Sequence, residues 1–163
     1  METELGWTSV YAYDKEVLGE NGTLGRNSFH EVLLIQRFRL ALKKLNPWIN
    51  DKQIAEAIER MTERMSSQTL MQINEQKYQF IRDGIPVTRI KPDGTSEEIK
   101  AVVIDFENVD NNDFLCVREL WAYGALYRRR ADIVGFVNGI PLLFVELKNH
   151  NVEVENAFNE NYR

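Results

Sequence analysis

The stretch Ala131–Asn149, ADIVGFVNGIPLLFVELKN, constrains this chain more than any other part of it. Two apolar runs, Ala131–Val137 and Ile140–Lys148, flank Asn138-Gly139, the dipeptide that most favours a tight β-hairpin. A two-residue turn that matches the twist of its strands needs positive φ at both central positions, which Asn and Gly tolerate. Each run carries charge at the end away from the turn: Asp132 in the first, Glu146 and Lys148 in the second. Side chains alternate across a strand, so Glu146 and Lys148 share one face while Leu143, Val145 and Leu147 share the other. Buried without partners, such charges cost several kcal/mol. They lie either at a solvated strand end or around a common partner.

Hairpin closure brings Asp132 towards Glu146, but register decides whether they meet. With a strict two-residue turn, Asp132 pairs with Val145, and Asp132 and Glu146 point to opposite sides of the sheet. A three-residue loop over Asn138–Ile140, or a bulge for which Gly135 is the candidate, puts them on the same face. A shared site therefore predicts an irregular hairpin. The bland alternative for Asp132 is a residue capping a turn at the strand entry.

Composition narrows what such a site can hold. Cys116 is the one cysteine, most simply a small buried hydrophobe in an apolar strand, so there is neither a disulfide framework nor a Cys-based zinc site. His30 and His150 are the two histidines, and no HExxH motif is present. Metal chemistry here must rest on carboxylates, which favour hard ions such as Mg²⁺ or Mn²⁺. Where the hairpin brings them together, Asp132 and Glu146, with the Leu147 backbone carbonyl between them, make an oxygen-rich seat for one.

The rest of the chain reads as helices followed by strands. Its 163 residues suit one domain, and 44% hydrophobic with 28% charged residues is ordinary for a globular protein. Residues 1–27 read as loop with a short strand near Ser9–Tyr13. A helix is expected from the Ser28/Glu31 capping box, stopping before Pro47, a second from Asn50 or Asp51 to about Met65, and a third from about Ser67 to Arg82 with Gly84 as C-cap. Together residues 28–84 form a helical part. Strands are expected at Ile85–Lys91 and Glu97–Phe106 around Pro92-Asp93-Gly94, at Phe114–Tyr123, and in the hairpin. Residues Val152–Arg163 read as the opening of a helix. This order is α+β. No apolar run reaches the length of a membrane helix, and the acidic N-terminus lacks a signal peptide's basic and apolar regions, so a cytoplasmic location is expected.

RRRADIVGFVNGIPLLFVELKN resembles the catalytic hairpin of Type I restriction subunits, and its D…ExK pattern resembles the PD-(D/E)xK nuclease superfamily. EVLLIQRFRLALKKLNP (Glu31–Pro47) and IDFENVDNNDF (Ile104–Phe114) resemble the same subunits, in the same order. A bare D…ExK recurs by chance; the extended hairpin with two upstream companions is specific. The resemblance implies a restriction-endonuclease-like core: a mixed, largely antiparallel sheet flanked by helices. It implies that Asp132 and Glu146 bind Mg²⁺ or Mn²⁺, and that Lys148 is the catalytic lysine in hydrolysis of double-stranded DNA. Glu31 would fall in the first helix, where related nucleases often place another acid near the metal; it also serves fully as the capping partner of Ser28. The family's Gln-x-x-x-Tyr motif is not met in AFNENYR, where Glu160 stands at the position expected for Gln and is carried as a DNA-positioning candidate.

Arg128, Arg129 and Arg130 precede Asp132 and either meet DNA phosphates or form a solvated charge run. Trp7, Trp48 and Trp121 read as core or loop packing, and His150 as lining the site or lying on the surface. The net charge of −5 is the wrong sign for bulk attraction to DNA, so partners are expected to supply much of the grip. The resemblance implies methyltransferase and specificity subunits as those partners, joined through a longer subunit that also hydrolyses ATP. No G-x-x-x-x-G-K-[ST] loop occurs here, so the chain is expected to be one piece of that subunit, without its motor. Two other readings remain: a PD-(D/E)xK nuclease of another system, or an assembly module with the fold but no chemistry. Retention of Asp132, Glu146 and Lys148 disfavours the second.

Overall fold

The computed structural model describes residues 6–13, 15–63, 68–124 and 127–147. Its order is β1 (Thr8–Tyr11), α1 (Ile35–Leu45), α2 (Asp51–Thr62), α3 (Leu70–Asp83), β2 (Ile85–Ile90), β3 (Ser96–Ala101), a short 3₁₀ turn (Val109–Asn111), β4 (Phe114–Tyr123), β5 (Arg128–Val137) and β6 (Ile140–Val145). The α+β class holds, with a mixed, mostly antiparallel sheet. Four strands run in the order β1-β4-β5-β6, with β1 parallel to β4 and the other pairs antiparallel. The β2–β3 hairpin forms a separate two-stranded sheet.

Two apolar clusters organise these elements. One joins Phe38 and Leu42 of α1, Ile54 and Ala57 of α2, Ile85 and Val87 of β2, and Ile140 at the hairpin. The other covers one face of the four-stranded sheet, where Leu115, Val117, Leu120, Ala131, Val134 and Phe136 meet Ala12, Leu24 and Leu34. Each fully buried side chain of this size contributes roughly 1.5–3 kcal/mol.

The first helix begins later than expected, at Ile35 rather than Ser28. Leu33 and Leu34 explain why: they are consecutive, yet Leu33 joins the helical cluster and Leu34 the sheet cluster. Neighbouring residues can face opposite cores only in extended backbone, so a helix through them would strand one leucine. Ser28 and Glu31 instead form a local turn, in which Ser28 Oγ accepts from His30 N and Glu31 Oε2 from Asn27 N. Glu31 therefore precedes the first helix.

Helix α2 starts at the expected Asn50 cap, in a reciprocal capping box with Gln53, and α3 starts at a Thr69/Gln72 box. β3 stops at Ala101, short of the expected Phe106. Val103 and Ile104 are buried as irregular backbone, so their apolar character comes from core packing and not from strand pairing.

Candidate active site

The β5–β6 hairpin contains both elements the register argument weighs. Its turn is the two-residue kind, Val137 pairing with Ile140, with φ of 53° at Asn138 and 80° at Gly139. The irregularity follows one pair later. Phe136 pairs with Pro141 but Gly135 pairs with Leu143, so Leu142 is an extra residue in β6. Beyond this bulge the register runs through Val134–Phe144 and Ile133–Val145, and one further step sets Asp132 across from Glu146. The bulge does what a longer loop would have done. Gly135 suits this place, because a Cβ would lie 3.0 Å from Leu143 Cβ and 3.0 Å from the Trp7 ring and would press both to shift.

At this end of the hairpin, Leu147 N donates to Asp132 Oδ2 at 2.6 Å, tying the acid to the backbone that follows Glu146. Glu146 Oε2 is closed off from solvent. On the other side of Asp132, the β4 register places Glu119 across from it, between the pairs Arg118–Ile133 and Leu120–Ala131. Glu119 has φ of 58°, and its carboxylate pairs with Arg130 at 2.7 Å. Val117 and Leu120 both face the sheet cluster although three positions apart, as do Ala131 and Val134. The alternation is therefore broken between Ala131 and Val134, where Asp132 lies half-buried. Nothing but a charged residue within an apolar run hinted at Glu119 in the sequence.

The opposite end of the hairpin is pinned by a buried polar network. Asn138, with no exposed surface, donates from Nδ2 to Val103 O and Asn112 Oδ1 and accepts from Asp113 N through Oδ1, each at 2.8 Å. Asn112 Oδ1 also accepts from Asp105 N, and Asp105 accepts from Asn108 N and Asn111 Nδ2. Asp113 in turn receives both bonds of Arg37 Nη1 from α1, at 2.7 and 2.9 Å. The segment Ile104–Phe114 is thus the clamp that joins α1 to the hairpin turn. Leu34 N donates to Gly139 O at 2.9 Å and completes it.

Arg128, Arg129 and Arg130 lie on β5 and are exposed, not at a turn. Arg128 stands over the Tyr123 ring at 4.9 Å, and Arg130 over Tyr13 at 5.0 Å and Trp121 at 5.9 Å. Glu31 lines a cavity of about 720 Å³ together with His30, Lys77, Tyr123 and Pro141, which Asp132 and Glu146 do not line. Cys116 is buried in β4 as expected. Trp7 packs on Phe114 at 5.2 Å, and Trp48 is largely exposed. Lys148, His150 and Glu160 lie outside the described residues, as does the helix expected from Val152.

Sequence reasoning also missed the buried pair of Arg26 and Glu16. Their side chains are 1% and 2% exposed, joined at 2.5 and 2.6 Å, and Arg26 also donates to Trp121 O at 2.7 Å. This pair fastens the N-terminal loop to β4 near the site. Among the described residues no three Asp, Glu, His or Cys side chains group closely enough to hold a metal ion alone. No helix among them is long and apolar enough to cross a membrane.

The family model described as Type I restriction enzyme R protein N terminus matches residues 1–163. The chain is 30% identical over 161 residues to the Type I restriction enzyme HindI endonuclease subunit of Haemophilus influenzae, covering 96% of this chain and 15% of that protein. It is 28% identical over 140 residues to the putative type I restriction enzyme MjaIXP endonuclease subunit of Methanocaldococcus jannaschii, covering 83% and 13%. Against the Type I restriction enzyme SauCOLORF180P endonuclease subunit of Staphylococcus aureus the identity is 24% over 162 residues, covering 96% and 16%. The chain thus spans about one-seventh of the length of these relatives.

Proposed function

The chain belongs to the family of Type I restriction enzyme R protein N termini, and from that premise we propose that it is the domain that hydrolyses DNA phosphodiesters, with Asp132, Glu146 and Lys148 as its working side chains. The observation that carries the reading is the β6 bulge at Leu142, which brings Asp132 across from Glu146 where an unbroken hairpin would have set them on opposite faces.

The donor set fits a hard divalent cation. Asp132 and Glu146 offer only carboxylate oxygens, and one Glu146 oxygen is already withdrawn from water. With no third acidic side chain grouped there among the described residues, the Leu147 carbonyl and water complete the set. A Mg²⁺ or Mn²⁺ ion held by these residues would supply polarisation of the scissile phosphate and a more acidic bound water. The bond from Leu147 N to Oδ2 holds the Asp132 carboxylate in place. Lys148 orients the attacking water or offsets charge growing on the phosphate. Of the arginines leading along β5 into Asp132, Arg128 meets the DNA backbone, whereas Arg129 faces the other side of the sheet over Tyr127 and Arg130 is paired with Glu119. Joined to the rest of a full-length subunit, the domain acts on double-stranded DNA within an assembly that also modifies and recognises it, powered by ATP elsewhere in that subunit.

The test is cleavage of supercoiled plasmid in Mg²⁺ or Mn²⁺. Nicking by the wild-type chain and none by Lys148→Ala is expected. Equal nicking by both would contradict the role given to Lys148.

A further inference from the structure

The sheet face turned away from its apolar core carries a continuous ladder of arginines and aromatic rings. Val10, Ala12, Leu120 and Ala131 all pack into the core cluster. Their neighbours Tyr11, Tyr13, Trp121 and Arg130 therefore project from the opposite face. Arg118 stands over the Tyr11 ring at 5.5 Å, Tyr11 stacks on Tyr13 at 6.2 Å, and Arg130 covers Tyr13 at 5.0 Å. Arg130 also approaches Trp121, which meets Tyr123 edge-on at 6.4 Å, and Arg128 covers Tyr123 at 4.9 Å. The contacts run unbroken across three strands, from β1 through β4 to β5.

We propose that this ladder is a track for the phosphodiester backbone of duplex DNA, with Arg118 and Arg128 as its cationic points and Arg130, held by Glu119, as a link between rings. Three observations support that occupant. First, Arg118 and Arg128 are exposed, and no carboxylate among the described residues pairs with either, whereas Arg130 is paired with Glu119. Second, stacking on a ring holds a guanidinium by its face and leaves its N–H edge for oxygen acceptors, the geometry that suits phosphate. Third, from Arg118 to Tyr123, the partner of Arg128, β4 spans roughly 16 Å, the axial length of about five nucleotides of one strand. Arg129 alternates to the other face, over Tyr127, and is not part of the track. A chain with net charge −5 thereby places the charges of Arg118 and Arg128 on one surface, Arg128 four residues before Asp132. The proposal rests on the nuclease reading, since it names how that site would receive its substrate.

The test is fluorescence anisotropy with the 163-residue chain and two unrelated duplex sequences, in EDTA, across 50–200 mM salt. Arg118→Gln and Arg128→Gln should each weaken binding equally on both sequences and lower the slope of log affinity against log salt by about one. Tyr13→Leu removes a ring and no charge, so it should weaken binding several-fold while leaving the slope unchanged. An unchanged slope in both arginine variants, with unfolding midpoints like wild type, would overturn the track. Because no metal is present, that result leaves the Asp132–Glu146 site untouched; absent metal binding with an intact slope would sink the nuclease reading alone.

Discussion

Asn138 bears more of the hairpin than its size suggests, and Asn138→Ala should be among the most damaging single changes in this chain. Its side chain makes three hydrogen bonds of 2.8 Å at a position with no solvent exposure. Truncation leaves Asn112 Oδ1 with its bond from Asp105 N but strands Asp113 N and Val103 O. Each buried group left unpaired costs about 1–3 kcal/mol. Alanine must also adopt the left-handed backbone that Asn138 holds at φ 53°, at about 1 kcal/mol or more. The sum is about 3–7 kcal/mol, against a total stability of about 5–15 kcal/mol for a domain of this kind. Asn138→Gly relieves the backbone conflict but not the lost bonds, and should recover roughly 1 kcal/mol of the damage. Urea unfolding followed by circular dichroism, with m-values held in common, measures both variants. If Asn138→Ala lies within about 1 kcal/mol of wild type, the network does not hold the hairpin and the clamp account fails.

Gly139→Ala forces a Cβ to 2.6 Å from Leu34 O and 2.9 Å from Phe38 N, whereas Gly94, also at positive φ (83°), has open space around it. Gly139→Ala should therefore lower the urea midpoint clearly more than Gly94→Ala, whose cost is the backbone term alone, about 1–2 kcal/mol. Arg26→Ala leaves the Glu16 carboxylate buried without its partner and should cost about 3–5 kcal/mol, while the double change Arg26→Met with Glu16→Leu should cost much less. A double change as harmful as the single would show that packing, not charge, dominates there. The Asp105 carboxyl is held below its ordinary range, first by the Asn111 side-chain N–H and then by the Asn108 backbone N–H. A depressed folded-state pKa means its stabilisation is full above the unfolded value near 3.9 and is lost as pH falls through the folded one. Acid unfolding of Asp105→Asn should thus show a shallower dependence on pH below about 4 than wild type, and identical slopes would remove Asp105 from the acid response.

The hairpin was the most legible part of the sequence because several local signals agree on it. Asn138-Gly139 fixes the turn, flanking apolar residues fix the strands, and Gly135 marks the irregularity. The β4 limits, Phe114–Tyr123, and the Asn50 cap of α2 were equally readable, since alternation and capping act locally. The start of α1 was not, because Leu33 and Leu34 look like one helical face until two separate cores claim them. β3 was overextended for a related reason: Val103 and Ile104 are apolar to fill space between elements. Glu119 and the Arg26–Glu16 pair depend on contacts between distant segments, which no local pattern encodes. The Ile104–Phe114 motif was visible only as a resemblance; its physical reason is the clamp on Asn138, evident once the turn and the loop are seen together.

The central claim is that the bulged hairpin makes Asp132 and Glu146 into one cation seat. Isothermal titration of Mg²⁺ or Mn²⁺ into wild type, Asp132→Ala and Glu146→Ala tests it without requiring cleavage. Binding to wild type that each substitution abolishes or weakens at least tenfold, with unfolding midpoints preserved, is the predicted result. Equal binding by all three proteins would contradict the claim.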